Sequence, residues 1–513
     1  MEDYTLVSYK ELVDKISTSK QKIKQKAYLS HGNIPVVDQG QEKIGGYTND
    51  ETKLLECQLP VVVFGDHTKI VKIINFKFAP GADGTKVLQP KEMILPELLA
   101  FFTKILVHKI KDKGYARHYQ HIENTSFLLP PLTIQRAIVS KLESLLTNLD
   151  QGIASLEKAA AQLKIYRQAV LKKAFEGELT KAWREQQTDL PTAEELLAQI
   201  KEERLKHYEQ QLQDWEQAVT DWEAEGKVGR KPEKPKRLKK LEVLTEKKIK
   251  KLAVLPKKWN WFLSEYFFKS VTSGSRGWAK YYSNEGALFI RITNLNYNTL
   301  SLDLSEKSNK YVNLPEKAEG KRSRVAEGDF LFSVTGYLGM FAIAESLKEA
   351  YVSQHVCIAK PFNIINPKYL GYWIIAQAGG LKYLNEKSKG AVKAGLRLDD
   401  IKNFPVPTCS SREQDQIVQE IDSRLSVCDN LAETIETSLK KAKALRQSIL
   451  KKAFEGRLLT AAELAACRAM PDYEPAAVLL ERIKKEKAER EALAKAEKKN
   501  KSKKGQLTSK IKA

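Results

Sequence analysis

Cysteine and histidine are scarce in this chain, and their placement excludes several kinds of protein at once. The five cysteines, Cys57, Cys357, Cys409, Cys428 and Cys467, are odd in number and scattered. That pattern argues against a disulfide framework and a zinc site, and it reads as reduced thiols. Among the seven histidines, His118 and His121 lie three apart without a third ligand, so no metal site is expected. No apolar run is long enough to cross a bilayer, and the start, MEDYTLVSYKELVDK, has no signal-peptide pattern. The expectation is a soluble, cytoplasmic protein with no membrane association. GxxxxGKS/T, GxGxxG after a strand and HExxH are all missing, so no catalytic residue and no cofactor is assigned.

What is present is length and positive charge. At 513 residues, 42% of them hydrophobic, the chain is too long for one core, and two or more domains are expected. Lys and Arg total 86 against 64 Asp and Glu, a formal charge of +22, which points to a polyanion as partner. The basic stretches 227–251 and 484–513 are poor in apolar residues and read as solvated linkers.

One helix occurs twice. Residues 135–177 and 414–456 align without a gap: Gln135 with Gln414, Asp150 with Asp429, Arg167 with Arg446, and LKKAFEG with LKKAFEG. Apolar residues recur in steps of four and three, the mark of a coiled-coil seam. In the first copy the seam is Ile138, Leu142, Leu145, Leu149, Leu156, Leu163 and Val170, with Ala159 and Tyr166 in line. In the second it is Ile417, Ile421, Leu431, Ile435, Leu445 and Ile449, with Cys428 and Ala442, while Arg424 and Ser438 interrupt it. Gly177 and Gly456 are left-handed stops. Thr133 is the expected cap of the first helix, and Ser411 with Gln414 a capping box for the second. A rod of this length, roughly 60 Å at about 1.5 Å per residue, cannot bury its own stripe, and the other copy carries a matching one.

Around the helices the reading is globular region, helix, globular region, helix. Residues 1–130 and 256–407 are mixed α/β, with strand-like PVVVF, IVKIINFKF, FIRITNLN and GDFLFSVTG. The long helices occupy 131–180 and 408–460. Residues 181–255 form a charged helical insert, starting near Thr192, and a basic linker; residues 461–513 form a charged helix and a basic, disordered tail.

In their order, the doubled RQxxLKKAFEGxL, LPKKWNWF, GDFLFSVTGYLGMFAI and FGDHTKIVKIINFKFAPGADGTKVL make the chain resemble the specificity subunits of type I restriction-modification enzymes over nearly its whole length. The resemblance implies an α+β fold: two globular mixed α/β target-recognition domains separated by a pair of long antiparallel coiled-coil helices with pseudo-two-fold symmetry. It implies that each domain reads one half of an asymmetric bipartite site in double-stranded DNA. The helices would dock two copies of an adenine methyltransferase subunit, and endonuclease/translocase subunits would complete the enzyme. The chain itself would be non-catalytic. The insert before the second domain and the basic tail depart from the pattern.

Readout needs hydrogen-bonding groups on short loops and cations for phosphate. In the first domain the candidates are Asp66, His67, Thr68 and Lys69 after PVVVFG, and Arg117, His118 and Tyr119 after Gly114. In the second they are Arg291, Thr293 and Asn294, then Ser333, Thr335, Gly336 and Tyr337, and Lys393 and Arg397 after Gly390. Two other readings compete. A coiled-coil adaptor whose globular ends bind proteins explains the helices but not the Lys and Arg after those glycines. An enzyme in its own right lacks the motifs.

Overall fold

The computed structural model describes residues 3–81, 84–109, 117–238, 240–274, 276–315, 321–388, 395–485 and 488–489. It divides into two units, Met1–Glu157 with Glu436–Ala513, and Lys158–Ile435. The fold is α+β. Most of the tail, residues 490–513, lies outside the described residues, as does Lys393.

In the first unit a short antiparallel pair, Thr5–Ser8 with Ser126–Leu129, closes the globular region. A four-stranded sheet runs in the order Val13–Ile16, Thr85–Pro90, Val61–Gly65, Val71–Ile74. A three-stranded sheet holds Gly46–Thr48, Ile34–Val37 and Ala79–Pro80, the last two parallel. The central strand Val61–Gly65 is buried on both faces, as its unbroken apolar run requires.

The second unit has the same plan in a different sequence. Asn260–Leu263 pairs with Pro405–Thr408. The main sheet runs Phe268–Ser273, Val356–Pro361, Phe330–Ser333, Phe341–Ile343. The second sheet again sets a parallel pair, Ala287–Ile290 with Ala350–Val352, beside the antiparallel strand Tyr311–Val312. FIRITNLN is only half strand: after Ile290 the chain turns into a 3-10 helix, Ile292–Asn294.

The long helices are Leu132–Phe175 and Ser411–Phe454, stopped by Gly177 (φ 76°) and Gly456 (φ 67°). In the first unit the start of one packs on the end of the other, Ile138 and Leu142 sharing a core with Ile449, Leu450 and Ala453. In the second unit Val170, Leu171 and Ala174 share a core with Ile417, Ile421 and Leu425. Both contacts are antiparallel. Neither start is capped as expected. Thr133 lies inside the helix, with its buried hydroxyl lacking a hydrogen-bond partner, and Ser410 takes the place of Ser411, accepting from the Glu413 amide at 3.3 Å. The repeated glutamine has another task in each unit. Gln135 Nε2 donates to Pro130 O at 2.8 Å and its Oε1 accepts from Leu95 N at 2.9 Å. Gln414 Nε2 donates to Cys409 O at 2.9 Å and its Oε1 accepts from Asn366 N at 3.0 Å. Leu95 and Asn366 each precede a proline-started helix, Pro96–Lys109 and Pro367–Ile375, so one buried amide ties each long helix to its globular region.

The seam needs correction in one of its two rows. Leu142, Leu149, Leu156, Leu163 and Val170 are buried or half-buried, as are Ile421, Cys428, Ile435, Ala442 and Ile449. In the other row Ile138, Leu145, Ala159 and Ile417 are covered as expected, but Tyr166, Arg424, Leu431 and Leu445 are not. Leu425 is 5% exposed in place of Arg424, while Leu431 and Leu445 are 48% and 52% exposed. Tyr166 is likewise exposed, and Arg167 and Arg446 take the covered positions. An arginine lies in such a stripe by its methylene stem while its head reaches an acid at the rim.

The 181–255 insert is folded. Its helix, Ala193–Ala224, starts at a capping box between Thr192 and Glu195, and Ala193, Leu196 and Ile200 are buried in the core of the second unit. No helix among the described residues is long and apolar enough to cross a membrane.

Candidate nucleic-acid interface

In each unit most of the described candidate residues gather where three segments meet: a hairpin tip, the chain that follows Gly114 or Gly390, and the start of the neighbouring strand. In the first unit the hairpin joins Val61–Gly65 to Val71–Ile74. It closes through Gly65 N donating to Ile70 O at 2.8 Å and Lys69 N donating to Gly65 O at 2.8 Å, with Lys69 in the left-handed region at φ 61°. Asp66 staples the three segments. Its amide donates to Gly84 O at 2.8 Å, its carbonyl accepts from His118 N at 3.1 Å, and its carboxylate accepts from Tyr119 N at 2.9 Å. Lys86 Nζ lies 3.4 Å from the second carboxylate oxygen.

This placement divides the candidates. Asp66, His118 and Tyr119 are 3%, 1% and 5% exposed, so they build the platform and do not present a reading edge, contrary to the expectation. Burial, and then the nearby carboxylates of Glu123 and Asp66, push the Tyr119 phenol up to about 12, and Lys15 Nζ lies 5.4 Å from its ring centre. Thr68 and Arg117 are exposed, and His67 and Lys69 half-buried. Gln39 belongs here too, although nothing in its sequence context marked it: its Oε1 accepts from His67 N at 3.3 Å and its carbonyl from Thr68 Oγ1 at 2.6 Å.

The second unit repeats the junction with other side chains. Val334 stands where Asp66 does, its amide donating to His355 O at 3.0 Å and its carbonyl accepting from Leu396 N at 2.8 Å. Ser333 is buried and closes the turn, donating to Tyr337 O at 2.6 Å and accepting from Met340 N at 3.1 Å; it is a hairpin clasp and not an exposed reader. Gly336 (φ 75°) lets the tip turn, leaving Tyr337 67% exposed. Thr335 Oγ1 lies 2.7 Å from His355 Nδ1, and Gln354 Nε2 lies 3.0 Å from His355 Nε2. Gln354 and His355 are exposed and complete a polar row that sequence reasoning missed. The signal was available in SQHV at a strand start, the position that Gly84 holds before Thr85. Arg397 is exposed at the head of helix Leu398–Lys402.

Arg291 and Asn294 are loop-builders. Asn294 is fully buried; its Oδ1 accepts from Arg291 N at 3.0 Å and its Nδ2 donates to Asp303 O at 2.9 Å. Arg291 Nη2 donates to Ser308 O at 2.9 Å. Only Thr293 of the three is exposed. The loop they shape runs beside the hairpin, Phe341 N donating to Asn296 O at 2.8 Å.

Each junction thus offers mixed donors and acceptors beside cations on a rigid sheet edge, the combination that base edges and phosphates require. The family model described as the type I restriction modification DNA specificity domain matches residues 1–158 and 256–441. The chain is 27% identical over 376 residues to the type I restriction enzyme EcoBI specificity subunit of Escherichia coli, covering 72% of this chain and 65% of that subunit's length. It is 24% identical over 421 residues to the EcoKI specificity subunit of Escherichia coli, covering 78% and 74%. A solved chain from a study of complex assembly and conformational transition in the type I R-M system matches in fold, with a TM-score of 0.56 at 16% identity, over 89% of this chain and 98% of that one.

Proposed function

Because the chain belongs to the type I restriction-modification DNA specificity family, we propose that it is the subunit that reads an asymmetric, bipartite DNA site, one half with each globular region, with the long helices as spacer. The observation that carries this reading is the recurring junction: the same three segments converge through matching backbone hydrogen bonds in both units, while the exposed side chains differ. A common frame with different tips reads different sequences, so the two half-sites differ. In the first unit His67, Thr68, Lys69 and Arg117 are the readers, with Asp66 as their staple. In the second they are Thr335, Tyr337, His355, Gln354 and Arg397.

Chemistry comes from partners. Two methyltransferase subunits, docked on the helical part of this chain, transfer the methyl group, and endonuclease/translocase subunits complete the enzyme. The test is a map of methylated adenines in a strain whose residues 1–130 are exchanged for those of another specificity subunit. One half of the motif changes and the other stays. A change in both halves, or in neither, refutes the modular reading.

A further inference from the structure

The insert that departs from the family pattern is a built arm. Its helix, Ala193–Ala224, is anchored at the base by Ala193, Leu196 and Ile200 and by Arg204 Nη1 donating to Glu265 O at 2.9 Å. Beyond that base the chain turns at Gly226 and Lys227, both at positive φ, and returns along the helix. The stretch expected to be a solvated linker is largely exposed, but it is tied to the helix at two points.

Two tryptophans of the helix hold the return strand. Trp222 Nε1 donates to Gly229 O at 3.4 Å and Trp215 Nε1 donates to Pro232 O at 3.1 Å. Seven helical residues, about 10.5 Å, are matched by three return residues, about 9.3 Å in a polyproline-II strand. The composition fits that conformation. Every third return residue is apolar or glycine, Gly229, Pro232, Pro235, Leu238, Leu241 and Leu244, and Pro232, Pro235, Leu241 and Leu244 are covered. With three residues per turn, the two remaining positions of each turn face outward. Among the described residues they hold Arg230, Lys231, Lys234, Lys236, Arg237 and Lys240, all exposed, two exposed acids, Glu233, which pairs with Arg230 at 2.7 Å, and Glu242, and Val243 near the end of the strand. The ammonium groups of Lys231 and Lys234 lie 6.0 and 5.0 Å from the Trp222 and Trp215 ring centres.

We propose that this ridge is a second, sequence-independent DNA contact, gripping the phosphate backbone of duplex outside the recognised site. A solvent-facing line of cations along the return strand suits a polyphosphate, since duplex DNA carries a charge every ~1.7 Å of its axis and any such line finds phosphates within reach. Between Gly229 and Leu238 its outward positions are all charged, with no aromatic or aliphatic anchor of the kind that a protein interface core is built on; Leu238 and Val243, 41% and 78% exposed, lie at and beyond the end of that run. Because proline, glycine and the tryptophan clamp fix the strand beforehand, little ordering is left to oppose binding. The inference rests on DNA being the chain's partner, but not on which residues read the bases.

The test uses the full chain and a random-sequence duplex of about 60 base pairs, titrated between about 50 and 200 mM salt. The variant Lys231→Gln, Lys234→Gln, Arg237→Gln, Lys240→Gln lowers the slope of log affinity against log salt by roughly 2 to 4, at about 0.9 for each phosphate that is no longer neutralised. The methylated motif of a strain carrying it stays the same. A second variant, Trp215→Leu with Trp222→Leu, keeps every charge but frees the strand, and it weakens binding at low salt. An unchanged slope in the fourfold variant overturns the proposal. If that variant instead stops retaining the methyltransferase subunit, the ridge is a protein-docking surface and the proposal also falls. Loss or change of the motif, with the salt slope altered as expected, would count against the assignment of readers and not against the ridge.

Discussion

Arg167 of the first long helix is ion-paired with Asp429 of the second, and their repeat equivalents exchange roles, Arg446 of the second helix pairing with Asp150 of the first. An ion pair that recurs with its partners swapped is what two copies of one helix make when they pack antiparallel. It also accounts for the arginines that occupy covered seam positions: the guanidinium reaches an aspartate on the neighbouring helix while the stem fills the stripe.

The first prediction concerns that pair. The side chains of Arg167 and Asp429 are 17% and 64% exposed, so solvent screens much of the attraction, and a pair of this kind is worth about 0.2–1 kcal/mol. A double-mutant cycle with Arg167→Met and Asp429→Asn, read by urea unfolding of the full chain, should give a coupling energy in that range that shrinks as salt is raised. A coupling of several kcal/mol would mean that the pair is far better shielded than its exposure indicates.

Acid should loosen the first unit through Glu463. Its carboxylate accepts from Lys141 Nζ at 2.6 Å and from the Thr460 amide and hydroxyl, which hold it down from 4.5 to about 2. A carboxylate depressed on folding contributes fully above its unfolded value and loses the contribution as pH falls through its folded one. The window is therefore about pH 4.5 down to 2. Glu463→Gln should flatten the acid limb of the stability curve there and leave the slope near neutrality unchanged; equal slopes in both proteins throughout the window would contradict the assignment.

Asp66 and Thr68, two residues apart, should fail in different ways. Asp66→Ala removes the acceptor for the Tyr119 amide and the acid beside Lys86, and hydrogen bonds to charged groups are worth about 1.5–3 kcal/mol. It should lower the melting temperature of the full chain. Thr68→Ala should leave melting nearly unchanged and relax one position of the first half-site in the methylated motif. The reverse result would exchange platform and reader.

The helices, their glycine stops and the strand-rich globular regions were legible because period and punctuation are local. The doubled glutamine was visible but its work was not, since Gln135 and Gln414 act on residues about 40 to 48 positions away. The seam row was misplaced because Arg424 and Leu425 are neighbours and only packing decides which is covered. The proposed readers were half legible for a related reason. Sequence marks a hairpin tip such as GDHTK, but whether Asp66 turns in and Thr68 out depends on the two segments that cross beneath it, and His355 enters only through a strand far along the chain. The basic return strand was read as solvated, which its exposure matches, but its attachment was not legible, because it is made by two tryptophans on a preceding helix, a relation that composition does not carry.

The last prediction separates the two parts of the C-terminal segment. In the first unit, Tyr473 donates its hydroxyl to Asp3 at 2.5 Å and Arg468 pairs with the same carboxylate, so the chain end returns to its beginning. Cys467, Leu479 and Leu480 are buried there with Ile138, Leu142 and Ile449. Ending the chain after Gly456 removes these residues and exposes the stripe they cover. Two fully buried leucines alone contribute on the order of 3–6 kcal/mol, an upper figure because the unfolded chain is already partly compact. Removing only residues 490–513 leaves every one of these interactions in place. Thermal unfolding should therefore show the short truncation melting like the full chain, and the long one melting much earlier. Equal melting of all three would mean that the returning segment is an appendage of the first unit and no part of its core.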